Sequence, residues 1–502
     1  MKKLLSLLLC VVMLMTVLFS ASAETAQAVK PAIVIGVSSD LPSNAPYGNS
    51  STVTAMTTNS TFNGLVTVSR DGTATGELAT SWTSNEDSTE WTFKLREGVK
   101  FHDGSDFTAN DVKFTWEYAS SSENDGIKWV IIGYDKIDEI VVEDDYTVTF
   151  KLNCNAPDWL TYAAQKIMSE KAVKEKGADG CKIGTGPYVF EAQDPGVSWS
   201  IVRNDAYWGE LPPTQKITFS VITDASTRAL ALKSGDVDAI YGANSSDIVE
   251  FMADKSYNVY QFDNLANVYM GYNMNRQLGE NEALRKAIAM AINRDDIVAA
   301  CYEGGACAKP SYNFINDVSV GYTEVKNIPY DPEGAKALLD ENGIKDVTLV
   351  LYTFAMFIPV AEIIQANLSM IGINVDIREQ AQSGFTANLR SDGQYDLFIN
   401  KTSSTGGLLN ILSRFFKTGS TVSCMFYANE EFDAKLAEAE ACKTYDEMLA
   451  AYADLQQYIA DNGPEVPLVQ TYLWTIGTDK YFGADLGNQE YDVDFSYAYV
   501  LE

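Results

Sequence analysis

The segment Asn400-Lys401-Thr402-Ser403 places four polar side chains directly after a strand-like run, YDLFI (395–399). A lysine ammonium binds carboxylates, and the neighbouring amide and hydroxyl groups both donate and accept hydrogen bonds. A polar strand end at the edge of an α/β sheet is a common ligand position. The segment therefore predicts a ligand contact in which Lys401 meets a solute carboxylate. A lysine solvated at a strand end is the alternative.

Residue types for enzymatic chemistry are scarce in this chain. It has one histidine, His102, which lies in a His-Asp-Gly turn, and neither a GxSxG nor an HExxH motif occurs. Little is therefore present for Ser–His or Cys–His catalysis or for a histidine-ligated metal. The 68 acidic residues leave paired-carboxylate hydrolysis open, but no spacing singles out a pair. We expect no enzymatic activity, no cofactor and no metal.

Residues 1–23 have the pattern of a cleavable secretory signal. Lys2 and Lys3 precede an apolar run, and Ala21-Ser22-Ala23 ends it. The run is too short to span a bilayer comfortably, and Cys10 lies inside it rather than behind a lipobox. We expect cleavage near Ala23 and export to the periplasm or the cell envelope, without a lipid anchor.

The charge and the cysteines describe the exported part. The net charge of −31 is spread along the chain and repels nucleic acid and anionic membranes. Six cysteines follow the signal, and an even number in an exported chain permits disulfides without fixing their pairing. Proximity in sequence suggests the pairs Cys301–Cys307 and Cys424–Cys442.

The stretch 76–120 shows the elements that must position any site. Apolar and polar side chains alternate over WTFKLR (91–96), which predicts a half-buried strand. A Glu-Gly turn, a short strand and the His-Asp-Gly turn follow. Thr108 and Asp111 then form a near capping box ahead of a helix. This pattern predicts local structure and by itself no chemistry.

Later segments predict alternating strands and helices. The run 137–152 reads as a hairpin, and 216–241 reads as a strand, a helix and a strand in a parallel crossover. The apolar run 347–364 is interrupted by Pro359 and Glu362, so we interpret it as a strand followed by a helix rather than a membrane span.

With these elements the chain resembles the family 5 extracytoplasmic solute-binding proteins, which serve ABC importers of peptides, nickel and related solutes. The resemblance rests on residues 79–101, with WTFKLR and its Glu-Gly turn ahead of HDG, and on GTGPY (184–188). The segments VRNDAYWG (202–209) and KITFSVITDASTRALALKSGDVDAIYG (216–242) are similar to the nickel-type branch. Nearly the whole mature chain is covered.

This resemblance implies an α/β fold, namely a bilobed periplasmic-binding-protein-like clamp (type II, cluster C-like) with an extra domain inserted in the first lobe. The ligand would lie between lobes that close on a hinge. The implied boundaries are a signal peptide at 1–23, lobe I at 24–66, the inserted domain at 67–183, lobe I again at 184–266, lobe II at 267–467 and a return to lobe I at 468–502.

The resemblance also identifies ligand-binding residues of the family that this chain lacks. In peptide-binding relatives the matching strand leads into a Trp and then an Asp that meets the peptide ammonium, whereas Lys401 to Ser404 stand here and no acid follows nearby. The nickel-type branch reads Asn-Arg-Thr-Trp, which residues 400–403 match except at Ser403. Trp129 matches a pocket tryptophan of that branch, and Lys128 before it is a second candidate for a carboxylate.

Further candidates follow from aromatic character and from family analogy. Tyr272 is a candidate for a pocket wall, with core packing as the alternative, and analogy places Tyr241, Asn244 and Trp474 near the cleft. The predicted ligand-binding set is Asn400, Lys401, Thr402, Ser403, Trp129, Lys128, Tyr272, Tyr241, Asn244 and Trp474.

The resemblance implies a monomeric, non-catalytic binding protein that delivers a small solute to the permease subunits of an ABC transporter. Peptide is the default solute. A nickel or other metal chelate, or an opine-like carboxylate, is the alternative. A secreted hydrolase and a peptide-sensing module that does not transport are the other classes left open.

Overall fold

The computed structural model describes residues 28–47, 51–69, 71–120, 133–403, 407–483 and 493–502. The signal-like segment 1–23, Lys128 and Trp129 lie outside these residues. Among the helices that are described, none is long and apolar enough to cross a membrane.

The described strands are β1 (Ala32–Val37), β2 (Val66–Val68), β3 (Ala74–Gly76), β4 (Ala79–Ser84), β5 (Glu90–Leu95), β6 (Ile137–Asp144), β7 (Thr147–Leu152), β8 (Tyr188–Asp194), β9 (Ser198–Arg203), β10 (Lys216–Val221), β11 (Ala239–Tyr241), β12 (Tyr257–Tyr272), β13 (Ala308–Pro310), β14 (Thr348–Thr353), β15 (Asn374–Glu379), β16 (Leu397–Ser403), β17 (Glu465–Thr478), β18 (Tyr481–Phe482) and β19 (Tyr499–Val500).

The described α-helices are α1 (Thr52–Thr61), α2 (Ala109–Ser120), α3 (Trp159–Ala163), α4 (Glu170–Lys176), α5 (Ala225–Ser234), α6 (Ser245–Ala253), α7 (Gln277–Glu280), α8 (Glu282–Ala291), α9 (Arg294–Cys301), α10 (Pro332–Glu341), α11 (Ile358–Met370), α12 (Phe385–Asp392), α13 (Leu408–Phe416), α14 (Glu430–Glu440) and α15 (Tyr445–Asn462). Short 3₁₀ helices lie at Tyr134–Lys136, Gly177–Lys182, Glu303–Gly305 and Ala355–Phe357.

Eleven of the described strands form one large sheet. Its order is β15-β14-β16-β12-β17-β11-β1-β10-β9-β8, and β13 pairs with β17 off this path. Strand β1 runs parallel to β10 and β11, and β14 runs parallel to β15 and β16. The sheet therefore has two α/β halves, which we call the lobe I half, around β1, and the lobe II half, around β14. The protein has the mixed α/β, bilobed fold.

Two long strands join the halves. Strands β12 and β17 pair antiparallel along most of their length. Strand β17 pairs with β13 near its start and with β11 near its end. The β12–β17 register shifts between Asp263 and Asn267, and such a bulge bends a strand. The boundaries predicted at 266/267 and 467/468 fall within these two strands, and the exact domain limits stay predictions.

A smaller sheet of four strands, β4-β5-β7-β6, stands apart from the large one. We call residues 79–183, which contain this sheet and α2 to α4, the small-sheet unit. Its core stacks Trp116 on Trp159, with ring centroids 5.5 Å apart, and sets Phe150 edge-on to Trp116 at 5.4 Å. Aromatic packing of this kind holds the hairpin β6–β7 against α2 and α3.

The alternating strand, the two turns and the helix predicted over 76–120 are confirmed, but the short strand expected at 99–101 is only an isolated bridge between Lys100 and Asp106. The alternating run forms β5, and its apolar side chains Trp91, Phe93 and Leu95 are buried. Helix α2 begins after Thr108, whose N–H donates to Asp111 Oδ2 at 2.8 Å. Only this half of the capping box forms. The Thr108 hydroxyl, which would accept a helix N–H in the other half, instead donates to Asp111.

The two strands of the predicted crossover at 216–241 run parallel, but they are not neighbours in the sheet, because one other strand lies between them. Strands β10 and β11 both pair with β1, which lies between them. The buried apolar residues of β1 explain its central position in the sheet. A strand that is covered on both faces must pair its backbone with a neighbouring strand along each edge.

The structure corrects the disulfide pairing. It describes Cys301, Cys307, Cys424 and Cys442 as free thiols. The Cys424 Sγ donates to the Thr386 carbonyl at 3.6 Å, whereas the Cys442 Sγ donates back to Glu438 at the end of α14. Closeness in sequence therefore fails as a guide to the pairing of these four cysteines.

Candidate functional site

The polar end of β16 reaches the bulge that separates the two lobes. Along β16, Lys401 stands opposite Val268 and Ser403 opposite Ala266, at the end of the lobe II ladder. The lysine is exposed and forms no ion pair with any described residue. The buried Thr402 hydroxyl has no hydrogen-bond partner in the described part of the chain. Asn400 is half-buried, and its Oδ1 accepts the Lys401 N–H at 2.9 Å.

Tyr272 lies at the opposite end of the same ladder. It pairs with Leu397, six residues from Ser403, or about 20 Å along the strand. Its ring is buried and its hydroxyl donates to the Arg285 carbonyl at 3.3 Å. Tyr272 lines a separate cavity of about 70 Å³ with Arg294 and Glu465. The structure thus does not bring Tyr272 to the polar end of β16.

Tyr241, Asn244 and Trp474 all lie on the lobe I side of the bulge, but the structure does not bring them together, because Tyr241 and Trp474 pack into different cores on opposite faces of the sheet. Tyr241 pairs with Thr475, the residue after Trp474. The Trp474 ring is buried, and its Nε1 has no partner among the described residues. Burial raises the pKa of Tyr241. The exposed Asn244 caps the start of α6 and donates to Ser226 Oγ at 3.1 Å.

Lys309, which sequence reasoning missed, forms ion pairs at the bulge itself. Lys309 on β13 lies 2.9 Å from Asp263 and 2.6 Å from Asp317. Burial lowers the pKa of Lys309, but its hydrogen bonds with Asp317 and Asp263 outweigh that effect and raise it. The buried Gln470 also donates to Asp317 at 2.9 Å. One lysine therefore bridges two carboxylates where the lobes join.

The small-sheet unit contacts the lobe II half directly. Ser88 Oγ donates to the Lys443 carbonyl at 2.9 Å, and Lys443 Nζ lies 2.6 Å from Asp87 Oδ1. Asn155 Nδ2 donates to the Ala441 carbonyl at 2.9 Å. The lobe II half is thus held on two sides, by the long strands and by this second contact.

Asp158 lies at that contact, beside Gly407 at the start of α13. The Tyr452 hydroxyl of α15 donates to Asp158 Oδ2 at 3.5 Å. A Cβ placed on Gly407 would lie 3.8 Å from the same oxygen and 3.6 Å from Tyr162 Oη. The side chain is nine-tenths buried, and that burial raises the pKa of Asp158 against a smaller opposite influence from Lys136. A buried acid therefore stands beside the start of α13.

Asp158 escaped sequence reasoning because its partner Tyr452 is 294 residues away. No spacing rule links positions so distant, and Asp158 reads in sequence as a loop residue ahead of α3. Lys309 escaped for the same reason, since Asp263 lies 46 residues before it.

The family model of bacterial extracellular solute-binding proteins, family 5, matches residues 73–420, well over half of the chain. The chain belongs to this family.

Known relatives match at modest identity over most of their length. The dipeptide-binding protein of Escherichia coli (strain K12) is 27% identical over 425 residues, which cover 77% of this chain and 79% of the relative. The glutathione-binding protein GsiB of Salmonella typhi is 27% identical over 459 residues, covering 87% and 88%. The periplasmic binding protein DppA from Helicobacter pylori, solved with the peptide STSA, has the same fold, with a TM-score of 0.78 at 24% identity over 96% of this chain and 100% of that one.

Metal chemistry finds little support in the described residues of this solute-binding protein. They contain no cluster of three or more His, Cys, Asp or Glu side chains placed to hold a metal ion. His102 instead lies in its turn with Nε2 3.1 Å from the Gly186 carbonyl oxygen, and burial lowers its pKa.

Proposed function

We propose that this protein captures a short peptide between its two lobes and delivers it to the permease of an ABC importer. The observation that carries the proposal is the exposed Lys401, which forms no ion pair with a described residue although it stands at the lobe boundary. A lysine left free at such a place is suited to the carboxylate of a solute. Family membership supports the transport role.

Peptide is favoured over a metal chelate by the relatives and by the chemistry. Two of the curated relatives are named for dipeptide and for glutathione, both of which carry an ammonium and carboxylates. The exposed Lys401 at the lobe boundary matches the carboxylate of such a ligand.

The remaining parts of the role belong to the same proposal. The protein acts without turnover, as a monomer, outside the cytoplasm after cleavage near Ala23. Capture is a shift of population from an open form to a closed form that the ligand stabilises.

Native mass spectrometry of the purified mature protein, with bound molecules released and identified, tests the proposal. A set of short peptides of mixed sequence is the expected result. A single metal-containing species would contradict the peptide assignment. Cleavage of the bound peptides at an enzyme-like rate would contradict the binding role.

A further inference from the structure

We propose that the cavity beside Tyr272 is a second ligand site, which binds a small oxyanion, such as a carboxylate or a sulfate, between Arg294 and Glu465. The cavity lies in the lobe II half, at the opposite end of the β12–β16 ladder from Lys401. The inference goes beyond the proposed peptide function and does not depend on it.

The cavity has room for such an ion and can be reached from solvent. Its volume of about 70 Å³ is roughly five times what one buried water molecule needs, so an ion of about four or five heavy atoms fits. Lys286, Tyr312 and Asp461 are exposed members of its lining. A solute can therefore enter between them.

Arg294 supplies the cation. Its side chain is nine-tenths buried at the start of α9, where Nε donates to the Pro467 carbonyl at 2.7 Å. Among the described residues, no carboxylate oxygen lies within 4.0 Å of the guanidinium, and its two terminal nitrogens have no hydrogen-bond acceptor. A planar guanidinium with both terminal nitrogens available is suited to the two oxygens of a carboxylate or a sulfate.

Glu465 lines the same cavity and is also without a partner. The side chain is nine-tenths buried at the start of β17, and its Oε2 has no hydrogen-bond partner in the described part of the chain. Burial raises the pKa of Glu465 to about 8, so the carboxyl holds a proton at neutral pH. A protonated carboxyl donates a hydrogen bond, which an oxyanion accepts.

The other polar groups around the cavity are engaged or exposed. The Tyr272 hydroxyl donates to the Arg285 carbonyl at 3.3 Å, and Arg285 Nη1 donates to the Gly279 carbonyl at 3.1 Å. Solvent screens the charges of the exposed residues Glu282, Lys286 and Asp461. A buried cation and an acid O–H therefore decide what binds, and an anion between them compensates the charge of Arg294.

Equilibrium dialysis of the mature protein against labelled acetate and against labelled sulfate tests the proposal. The wild type should bind a single equivalent of either ion below a pH of about 8. Both ions keep their charge through this range, so a change of affinity with pH reports the protein. The affinity should fall by about tenfold or more as the pH rises above the Glu465 pKa of about 8, because the ionised carboxylate repels the anion.

Three variants assign the effect to these side chains. Glu465→Gln keeps a donor and removes the titrating group, so it should bind acetate with an affinity that no longer changes with pH. Arg294→Lys loses the planar fork and should bind about tenfold or more weakly. Lys345→Ala, at an exposed lysine on a loop of the same half, should bind as the wild type does. A Glu465→Gln protein that keeps the pH dependence of the wild type would overturn the proposal.

Three other results would also overturn it. Acetate and sulfate that bind no better than chloride would show a cavity that holds water only. Glycine that binds more tightly as the pH rises through about 8 would place an ammonium on the ionised Glu465 and make the ligand a zwitterion. A tripeptide that displaces acetate would make the cavity part of the proposed peptide site rather than a second one.

Discussion

Lys401 and Asp158 carry opposite charges and stand in opposite environments. The lysine is exposed, so its charge is solvated with or without a ligand. The aspartate is buried, so its charge is costly until a cation meets it. Removal of the Lys401 charge should weaken binding, whereas removal of the buried Asp158 charge should make the empty protein more stable.

Lys401→Ala should weaken peptide affinity about tenfold or more, because it removes the cation that meets the ligand carboxylate. Titration calorimetry with a peptide released from the native protein measures the change. Lys345→Ala, at an exposed lysine on a loop of the lobe II half, is the control and should leave affinity unaltered. Equal affinities of the Lys401→Ala variant and the wild type would assign Lys401 to solvent.

Glu465 makes the stability of the protein depend on pH. Burial raises the pKa of Glu465 to about 8 from 4.5, against a smaller opposite influence from Arg294. The folded state therefore holds a proton that the unfolded state releases, and this stabilisation is complete below pH 4.5 and is lost as the pH rises through about 8.

Urea unfolding across that pH window tests the assignment. The free energy of unfolding of the wild type should fall with rising pH by a few kcal/mol more than that of Glu465→Gln, on the order expected from the pKa shift. Glu282→Gln changes an exposed acid at the same cavity and should follow the wild type. Parallel curves for wild type and Glu465→Gln would refute the assignment.

At the scale of elements, Asp111 ties the starts of two helices together. Its carboxylate accepts the N–H of Thr108 ahead of α2 at 2.8 Å and the N–H of Glu170 in α4 at 2.9 Å. Burial raises the pKa of Asp111 to about 6, with both hydrogen bonds acting in the opposite direction.

Asp111→Ala should lower the free energy of unfolding by about 2 kcal/mol, because it leaves two backbone donors without an acceptor. Chemical denaturation measures the loss. Asp106→Ala removes an exposed acid from the preceding turn and should change stability by less than about 0.5 kcal/mol. A similar loss in the two variants would mean that Asp111 has no special role.

At the scale of the whole molecule, we expect the contact between the turn that joins β2 to β3 and helix α15 of lobe II to control how closed the protein is. Gly72, in the turn between β2 and β3, packs so close to Tyr445 of α15 that an added Cβ would overlap the tyrosine hydroxyl. Gly98 has the same left-handed backbone, with φ +77° against +81°, but nothing within 4 Å of an added Cβ.

Gly72→Ala should therefore open the ligand-free molecule, while Gly98→Ala should not, although both carry similar backbone strain. Small-angle X-ray scattering should report a larger radius of gyration for Gly72→Ala, and its peptide affinity should fall. Tyr445→Phe in the same chain should restore most of the closed form. An unchanged radius of gyration in Gly72→Ala would show that this contact does not control closure.

Sequence alone determined the local elements and the family of this protein. The period of two over 91–96 and the Thr108 cap depend on neighbours a few residues apart, and the structure confirms both. The family model confirms the resemblance first seen in WTFKLR and GTGPY. The alternation of buried and exposed side chains and the chemistry of turns depend on residues that are close in sequence. Both can therefore be predicted from the sequence alone.

Only the tertiary structure decided which distant residues meet. It placed β1 between β10 and β11, left the cysteines of the predicted pairs as free thiols, and carried Tyr272 away from the end of β16. It also brought Asp158 into contact with Tyr452, which lies 294 residues later in the chain. The physical reason is that a charge gains its role from the burial and the partners that packing gives it, and packing joins positions that no sequence spacing relates.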